Sequence, residues 1–308
     1  MPQDAAPVLG YRHALEVPAV AQPLAEATSL SGLQAKLSLV ASGGRYVART
    51  KDSRGLHIIA KLPTVERPLL PEVEELSLRL AAAAGVHTCT ARLSPLSDID
   101  VEIPFVLGEA RTFLAVERFD RRDGLTHVHC EDFAQILGIQ PELKYSAPEA
   151  SYGVLARLLA SMGLQGAQEE LVRRLAVNEM LGNFDAHLKN FGIVYPDGRT
   201  PELSPAYDIV AYAAYMRGQG HALKFAMGTP PRSRLTPAVI RAFCNEAGML
   251  ETRTVKTIRD CVKQAVASWP DLIGASTLLP QQKALLLEHF HACPIVEGYE
   301  RRIRRTTD

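Results

Sequence analysis

The chain has 308 residues, 47% of them apolar and 22% charged, with 34 basic residues balancing 34 acidic ones. That length supports one large domain or two lobes sharing a cleft, and the charge balance argues against a dedicated nucleic-acid binder. The five cysteines, Cys89, Cys130, Cys244, Cys261 and Cys293, are scattered and never form a C-x-x-C pair. This points to a reducing compartment and away from a disulfide framework or a zinc ribbon. The opening stretch MPQDAAPVLGYRHALEVP lacks the basic segment and apolar run of a secretory signal. No run approaches the ~18 apolar residues needed to cross a bilayer. The expected location is the cytoplasm, away from membranes.

Residues 1–28 are Ala- and Pro-rich with weak periodicity and read as a loose lead-in. From 33 to 62 the pattern is that of strands: KLSLV, then YVARTK after the Gly43–Gly44 turn, then LHIIAKLP, expected as consecutive antiparallel strands. EVEELSLRLAAAAG reads as a helix that Gly85 can cap at its C-terminus. TARLSPL and RTFLAVERFD add two strand candidates, which closes a strand-rich first half near Asp120. Beyond it EDFAQILGI, SYGVLARLLASMG and QEELVRRLAVNEMLG carry apolar residues at helical spacing. FGIVYPDG reads as a strand running into a turn. PAVIRAFCNEAGM, VKTIRDCVKQAVASW and QQKALLLEHF are helical again. The tail YERRIRRTTD, with Arg301, Arg302, Arg304 and Arg305, reads as a solvated helix end. The expected architecture is α+β: a lead-in over 1–28, a small strand-rich lobe over 29–122 and a larger, mainly helical lobe over 123–308.

The strongest chemical signal is NFDAHLKN (183–190) taken with SPAYDIV (204–210). Phosphoryl transfer from ATP needs a carboxylate to orient the attacking hydroxyl and oxygen ligands for Mg²⁺. An Asp followed five residues later by an Asn, with a second Asp beyond a strand–turn–strand, supplies those parts in the order that protein kinases use. Asp185 is the candidate base, and Asn190 and Asp208 are the candidate metal ligands. His187 and Lys189 between them can steady the loop or the transferring phosphoryl group. Lys61, ending the strand of LHIIAKLP, can reach the nucleotide phosphates if an acidic partner fixes it. Glu74 on the following helix is the first candidate for that partner, with Glu72 and Glu75 as alternates. In AVERFDR the main-chain groups of Glu117 and Phe119 can hold an adenine ring. The cluster THVHC, with His127, His129 and Cys130, lacks the second ligand pair that tetrahedral zinc needs.

SLSGLQAK (29–36) presents two readings, a backbone cradle for phosphates or a place where phosphate is added. It is not the G-x-x-x-x-G-K-[ST] loop. Gly32 and its flanking N–H groups can nonetheless approach phosphates closely, because glycine has no Cβ.

Together SLSGLQAK, HIIAKLP, VERFDR, EDFAQILGIQPELKY, GNFDAHLKNFGI and LSPAYDIV resemble the HipA family, bacterial serine/threonine kinases that act as the toxins of toxin–antitoxin modules. The resemblance implies a protein-kinase-like two-lobed fold with ATP and Mg²⁺ as cosubstrates. It sets Ser31, Gly32, Lys61, Glu74, Glu117, Phe119 and Tyr207 around the nucleotide, Asp185, His187 and Lys189 in the catalytic loop, and Asn190 and Asp208 on the metal. It implies autophosphorylation on Ser29 or Ser31. A phosphate there adds about −1.5 to −2 charges where the nucleotide's own phosphates sit, which makes the loop an off switch. It also implies a HipB-like helix-turn-helix antitoxin as partner, contact with DNA only through that antitoxin, and an aminoacyl-tRNA synthetase or translation factor as target. With 28 residues ahead of Ser29, the chain resembles the short, HipT-like branch, in which a separate small protein resembles the N-terminal subdomain.

Two other classes stay open on the residues. A small-molecule, antibiotic-type kinase shares the Asp and Asn spacing, but has no reason to keep a double-serine loop. A non-catalytic module that only docks on an antitoxin has no need of Lys61, Asp185, Asn190 and Asp208 together.

Overall fold

The computed structural model describes residues 34–48, 55–103, 107–122, 126–217 and 220–307. Ser29, Ser31 and Gly32 lie outside the described residues. The chain divides into two compact units: one of the residues up to Pro71 with Ala91–Thr126, the other of Glu72–Thr90 with His127–Asp308.

The first unit is a six-stranded sheet in the order β4-β6-β3-β1-β2-β5. Its strands are β1 (Lys36–Ser42), β2 (Arg45–Ala48), β3 (Leu56–Lys61), β4 (Ala91–Pro95), β5 (Ile99–Asp100) and β6 (Thr112–Glu117). Ser42 pairs with Arg45, leaving Gly43 and Gly44 as a two-residue hairpin loop with φ of 57° and 79°. Positive φ at both loop residues is what a type I′ turn requires, and it matches the twist of the flanking strands. The third strand does not continue beyond the second: β3 lies on the far side of β1, with Lys36 opposite Lys61. Burial explains the order. His57, Ile58, Ala60 and Lys61 of β3 are all buried and need neighbours on both sides. The shorter β2, with Arg45 and Ala48 exposed, sits nearer the edge. Leu39, Tyr46, Ile58, Leu62 and Phe113 form the core, where the Tyr46 and Phe113 rings meet edge to face at 5.2 Å.

The second unit includes helix α1 (Leu70–Ala83, from Glu72 onward). The helix ends in a Schellman arrangement, with Gly85 N–H on the Ala82 carbonyl and Val86 N–H on that of Ala81, both at 3.0 Å. Gly85 has φ 89°, which an L side chain rarely adopts. Short strands β7 (Arg121–Arg122) and β8 (Thr126–His127) precede β9 (His129–Asp132), which joins β10 (Gly192–Tyr195) and β11 (Glu202–Leu203) in a three-stranded sheet. EDFAQILGI gives only the single turn α2 (Phe133–Ile136), because Asp132 caps it in a box with Gln135 and Gly138 turns left-handed two residues past its end.

The remaining helices are α3 (Tyr152–Ser161), α4 (Gln165–Leu181), α5 (Pro237–Ala247), α6 (Glu251–Ala275), α7 (Pro280–His291) and α8 (Pro294–Thr307). From Leu171 to Leu181, α4 is buried at every position but Arg173, so it is a central helix walled on all sides. Trp269 of α6 is fully buried and donates its indole N–H to the Leu80 carbonyl at 2.9 Å. On α8, Arg301, Arg302 and Arg304 are exposed, with Arg301 and Arg304 paired to Glu297 and Glu300 one turn back. Among the described residues no helix is long and apolar enough to cross a membrane.

Candidate active site

The central helix α4 carries polar residues into its buried surface, and each holds a loop. Arg174 bonds Glu170 at 3.1 Å and the Ser204 carbonyl at 2.6 Å. Asn178 accepts from Asn183 at 3.0 Å, and Glu179 accepts from the Leu235 N–H at 2.6 Å and meets His221 Nε2 at 3.0 Å. The helix stops at Gly182, φ 61°, with Asn183 N–H reaching the Asn178 carbonyl at 2.8 Å. A Cβ at Gly182 would lie 3.0 Å from the Ala213 Cβ and 3.2 Å from His289 Nε2, so glycine is required by both conformation and space.

The segment that follows, residues 183–191, is almost wholly buried and has no regular structure beyond one 3-10 turn at Leu188–Asn190. Side chains from distant elements hold its carbonyls. Arg232 donates to the Phe184 carbonyl at 2.8 Å, Tyr152 to Ala186 at 2.8 Å and Tyr207 to Lys189 at 2.9 Å. Asn190 closes the turn: its Oδ1 accepts the His187 N–H at 3.0 Å, and its own N–H donates to the His187 carbonyl at 3.0 Å. Its Nδ2 donates to Asp208 Oδ2 at 3.2 Å, which brings the two candidate metal ligands side by side. Asp208 itself has φ 55°, a conformation uncommon outside glycine but tolerated by Asp. Two residues before it, Ala206 pairs with the segment that follows α1, Cys89 N–H donating to the Ala206 carbonyl at 2.9 Å and Ala206 N–H to that of His87 at 2.8 Å. Ser77 Oγ accepts the Ala211 N–H at 2.8 Å. The helix that carries Glu74 is thereby stitched to the segment that carries Asp208.

Around Asp185 the geometry is specific. Tyr145 donates its hydroxyl to Asp185 Oδ1, and the Tyr145 ring stands edge-on to His187 at 4.9 Å. Burial, with the Lys144 charge nearby, pushes His187 down to about 3, so it is a neutral imidazole at physiological pH. Lys189 pairs with Asp132 at 3.3 Å across the sheet end. Burial also holds the Tyr207 phenol well above its usual range, so it serves as a donor and not as a base. Asn190 and Asp208 offer an amide and a carboxylate oxygen, the hard donors that Mg²⁺ takes alongside substrate phosphates. The donor set therefore fits that ion. Among the described residues, no group of three or more His, Cys, Asp or Glu is gathered as for a metal, the THVHC segment included.

Lys61, Glu117 and Phe119 lie in the first unit. Lys61 is buried at the end of β3 opposite Leu114, and Glu117 stands opposite Ile58. Arg118 N–H donates to the His57 carbonyl at 3.0 Å, so by strand alternation the main-chain groups of Glu117 face the side away from β3, while Phe119 lies in the turn that follows the strand. A buried clamp fixes this strand end: Arg118 Nε and Nη2 grip both oxygens of Asp120 at 2.8 and 2.6 Å, and Arg121 adds a bond at 2.5 Å. Burial alone would raise the Asp120 carboxyl, but the two guanidiniums outweigh it and hold the group below the usual range. Glu74 is buried on α1 in the second unit.

The structure thus gathers Asp185, His187, Lys189, Asn190, Tyr207 and Asp208. Sequence reasoning missed Tyr145, Tyr152, Arg174 and Arg232, which hold them from up to 48 positions away, and gave no task to Asn183 inside the motif itself. Tyr145 was visible only as the end of a family-specific motif with no assigned task.

Comparison with known proteins supports a common origin. The chain is 32% identical over 254 residues to the Sinorhizobium fredii protein Y4dM, covering 81% of this chain and 61% of that one. It is 27% identical over 206 residues to the Shewanella oneidensis serine/threonine-protein kinase toxin HipA, covering 61% of this chain and 44% of the toxin. The chain therefore spans between about two-fifths and three-fifths of the length of these relatives. In fold it is similar to Shewanella oneidensis HipA, solved in complex with HipB and operator DNA, with a TM-score of 0.68 at 20% identity over 93% of this chain and 67% of that one. It is also similar to the Helicobacter pylori proinflammatory kinase CtkA, with a TM-score of 0.56 at 11% identity, covering 90% of this chain and 93% of that one. The α+β architecture is accordingly that of the HipA and kinase folds. The model of the HipA-like C-terminal domain matches residues 28–269, and the chain belongs to that family.

Proposed function

We propose that the protein is an ATP-dependent serine/threonine protein kinase that acts as the toxin of a toxin–antitoxin module. The observation that carries this reading is the hydrogen bond that joins Asn190 to Asp208 at 3.2 Å, at the end of the same buried loop that carries Asp185. In the transfer, the acceptor hydroxyl oxygen bonds to the γ-phosphorus and the bond to the bridging oxygen of ADP breaks. The hydroxyl proton passes to the Asp185 carboxylate. Asn190 and Asp208 would hold Mg²⁺, which when bound neutralises the charge of the triphosphate. Lys61 serves the phosphates, with Glu74 the candidate for its acidic partner, and the main chain at Glu117 and Phe119 holds the adenine, next to the Arg118–Asp120 clamp. Neutral His187 and the paired Lys189 shape the loop and do not carry protons.

The same reading makes Ser29 or Ser31 the autophosphorylation site, and a HipB-like antitoxin the partner that brings the kinase to DNA. A third small protein resembling an N-terminal subdomain fits the module. The target is a component of translation such as an aminoacyl-tRNA synthetase. Incubating the purified chain with ATP and Mg²⁺ and mapping the products by mass spectrometry tests it. Phosphate on the peptide holding Ser29 and Ser31, lost when Mg²⁺ is chelated, is the expected result. An unmodified peptide in a chain that turns over ATP would overturn the autophosphorylation.

A further inference from the structure

A kinase base accepts a hydrogen bond from the hydroxyl about to be phosphorylated. In this molecule a hydroxyl already donates to Asp185, and it belongs to Tyr145 of the same chain. The tyrosine reaches the site from a segment that runs along the surface between α2 and α3. Pro141, Glu142, Leu143, Ser146, Pro148 and Glu149 are exposed, while Tyr145 is half-buried.

The main-chain bonds inside this segment are local turns, among them Leu143 N–H to Gln140 at 2.9 Å and Ala147 N–H to Leu143 at 3.0 Å. Its two ends are anchored. Ile139 N–H bonds the Ala134 carbonyl at 2.8 Å, and Ser151 Oγ caps α3 by accepting the Val154 N–H at 3.0 Å. The ring rests edge-on against His187 at 4.9 Å, and the Lys144 ammonium lies 5.1 Å from its centre. A loop pinned at both ends, largely exposed between them and placing one hydroxyl on the candidate base has the form of a peptide acceptor held in cis.

We propose that Tyr145 occupies the acceptor-hydroxyl position on Asp185, so that residues 139–150 wall the acceptor subsite and an incoming serine or threonine must displace the tyrosine. This rests on Asp185 being the base. The phenol and an acceptor hydroxyl compete for one carboxylate oxygen, so removing the phenol favours any acceptor, water included. Tyr145→Phe removes that oxygen alone and keeps the ring against His187.

The test is phosphate release from ATP with Mg²⁺, water serving as acceptor, by the full chain in four forms: wild type, Tyr145→Phe, Asp185→Asn and the double variant. Tyr145→Phe is expected to raise release by roughly tenfold, the worth of one hydrogen bond to a charged group. Asp185→Asn is expected to abolish the rise in the double variant. A gain in rate is a readout that damage to the fold does not produce. An unchanged rate in Tyr145→Phe would overturn the proposal, and a lowered one would instead make Tyr145 a residue that orients the base. Phosphate appearing on Tyr145 itself would overturn it too, since the residue would then be an acceptor. If Asp185→Asn matched the wild type in a chain that releases phosphate, the kinase reading would fall and the proposal with it; no release by either the wild type or Tyr145→Phe would overturn the proposal alone.

Discussion

Two irregular segments of the second unit meet at Asp185, and they are built on opposite plans. Residues 183–191 have almost no regular structure, yet they are buried, and the carbonyls of Phe184, Ala186 and Lys189 are each taken by a side chain from a remote element. Residues 139–150 are no more regular, but they are largely exposed and held by local turns between two anchors. Lack of helix or strand therefore says nothing about rigidity. What decides it is where the backbone polar groups find partners and how much water reaches them. On the proposed function both kinds have a use: a fixed loop to keep base and metal ligands in register, and a displaceable one to admit an acceptor.

The contrast can be broken at graded cost. The largest effect belongs to His187 in the fixed loop. Its native value of about 3 lies below the ordinary 6.5, so as pH falls below about 6.5 only the unfolded chain takes up the proton, and stability is lost until the pH nears 3. Between pH 7.5 and 5 this linkage amounts to about 2 kcal/mol. Denaturant melts at those two pH values should show His187→Gln losing about that much less stability than the wild type. Next comes Tyr152→Phe, which leaves the buried Ala186 carbonyl without its donor and should lower stability by about 1–2 kcal/mol. It should also slow phosphotransfer, because the Asp185 backbone loses a neighbour that fixes it. The smallest effect is expected in the displaceable loop. Leu143 is 47% exposed, and Leu143→Ser should shift stability by no more than about 0.5 kcal/mol. A Leu143→Ser variant that melts as far below wild type as Tyr152→Phe would erase the distinction between the two loops.

The sequence makes part of this legible and leaves the rest hidden for identifiable reasons. The Gly43–Gly44 hairpin and the helix ending at Gly85 follow from local chemistry, because a glycine marks the left-handed backbone at both places. The position of β3 was misread, since strand order depends on which run must be covered on both sides, and alternation alone does not say that. EDFAQILGI has helical spacing, but its turn is cut short at Gly138. Asp185, Asn190 and Asp208 could be picked out as candidates by spacing because they lie along one stretch of chain. Their supports could not. Tyr145 lies 40 residues from Asp185 and Arg232 lies 48 from Phe184, and no periodic signal spans such separations. Arg174 in the middle of α4 is buried against the Ser204 carbonyl, and a lone arginine in a helical run carries no sign of that.

The central claim is that Asp185 is the base of a phosphotransfer site whose metal ligands are Asn190 and Asp208. It is tested most directly by measuring transfer of the γ-phosphoryl group from ATP in the presence of Mg²⁺ by the wild type and by Asp185→Asn, with melting curves run in parallel. A drop of about 10²–10⁴ in rate at unchanged melting temperature is the predicted result. Equal rates in the two proteins would contradict it.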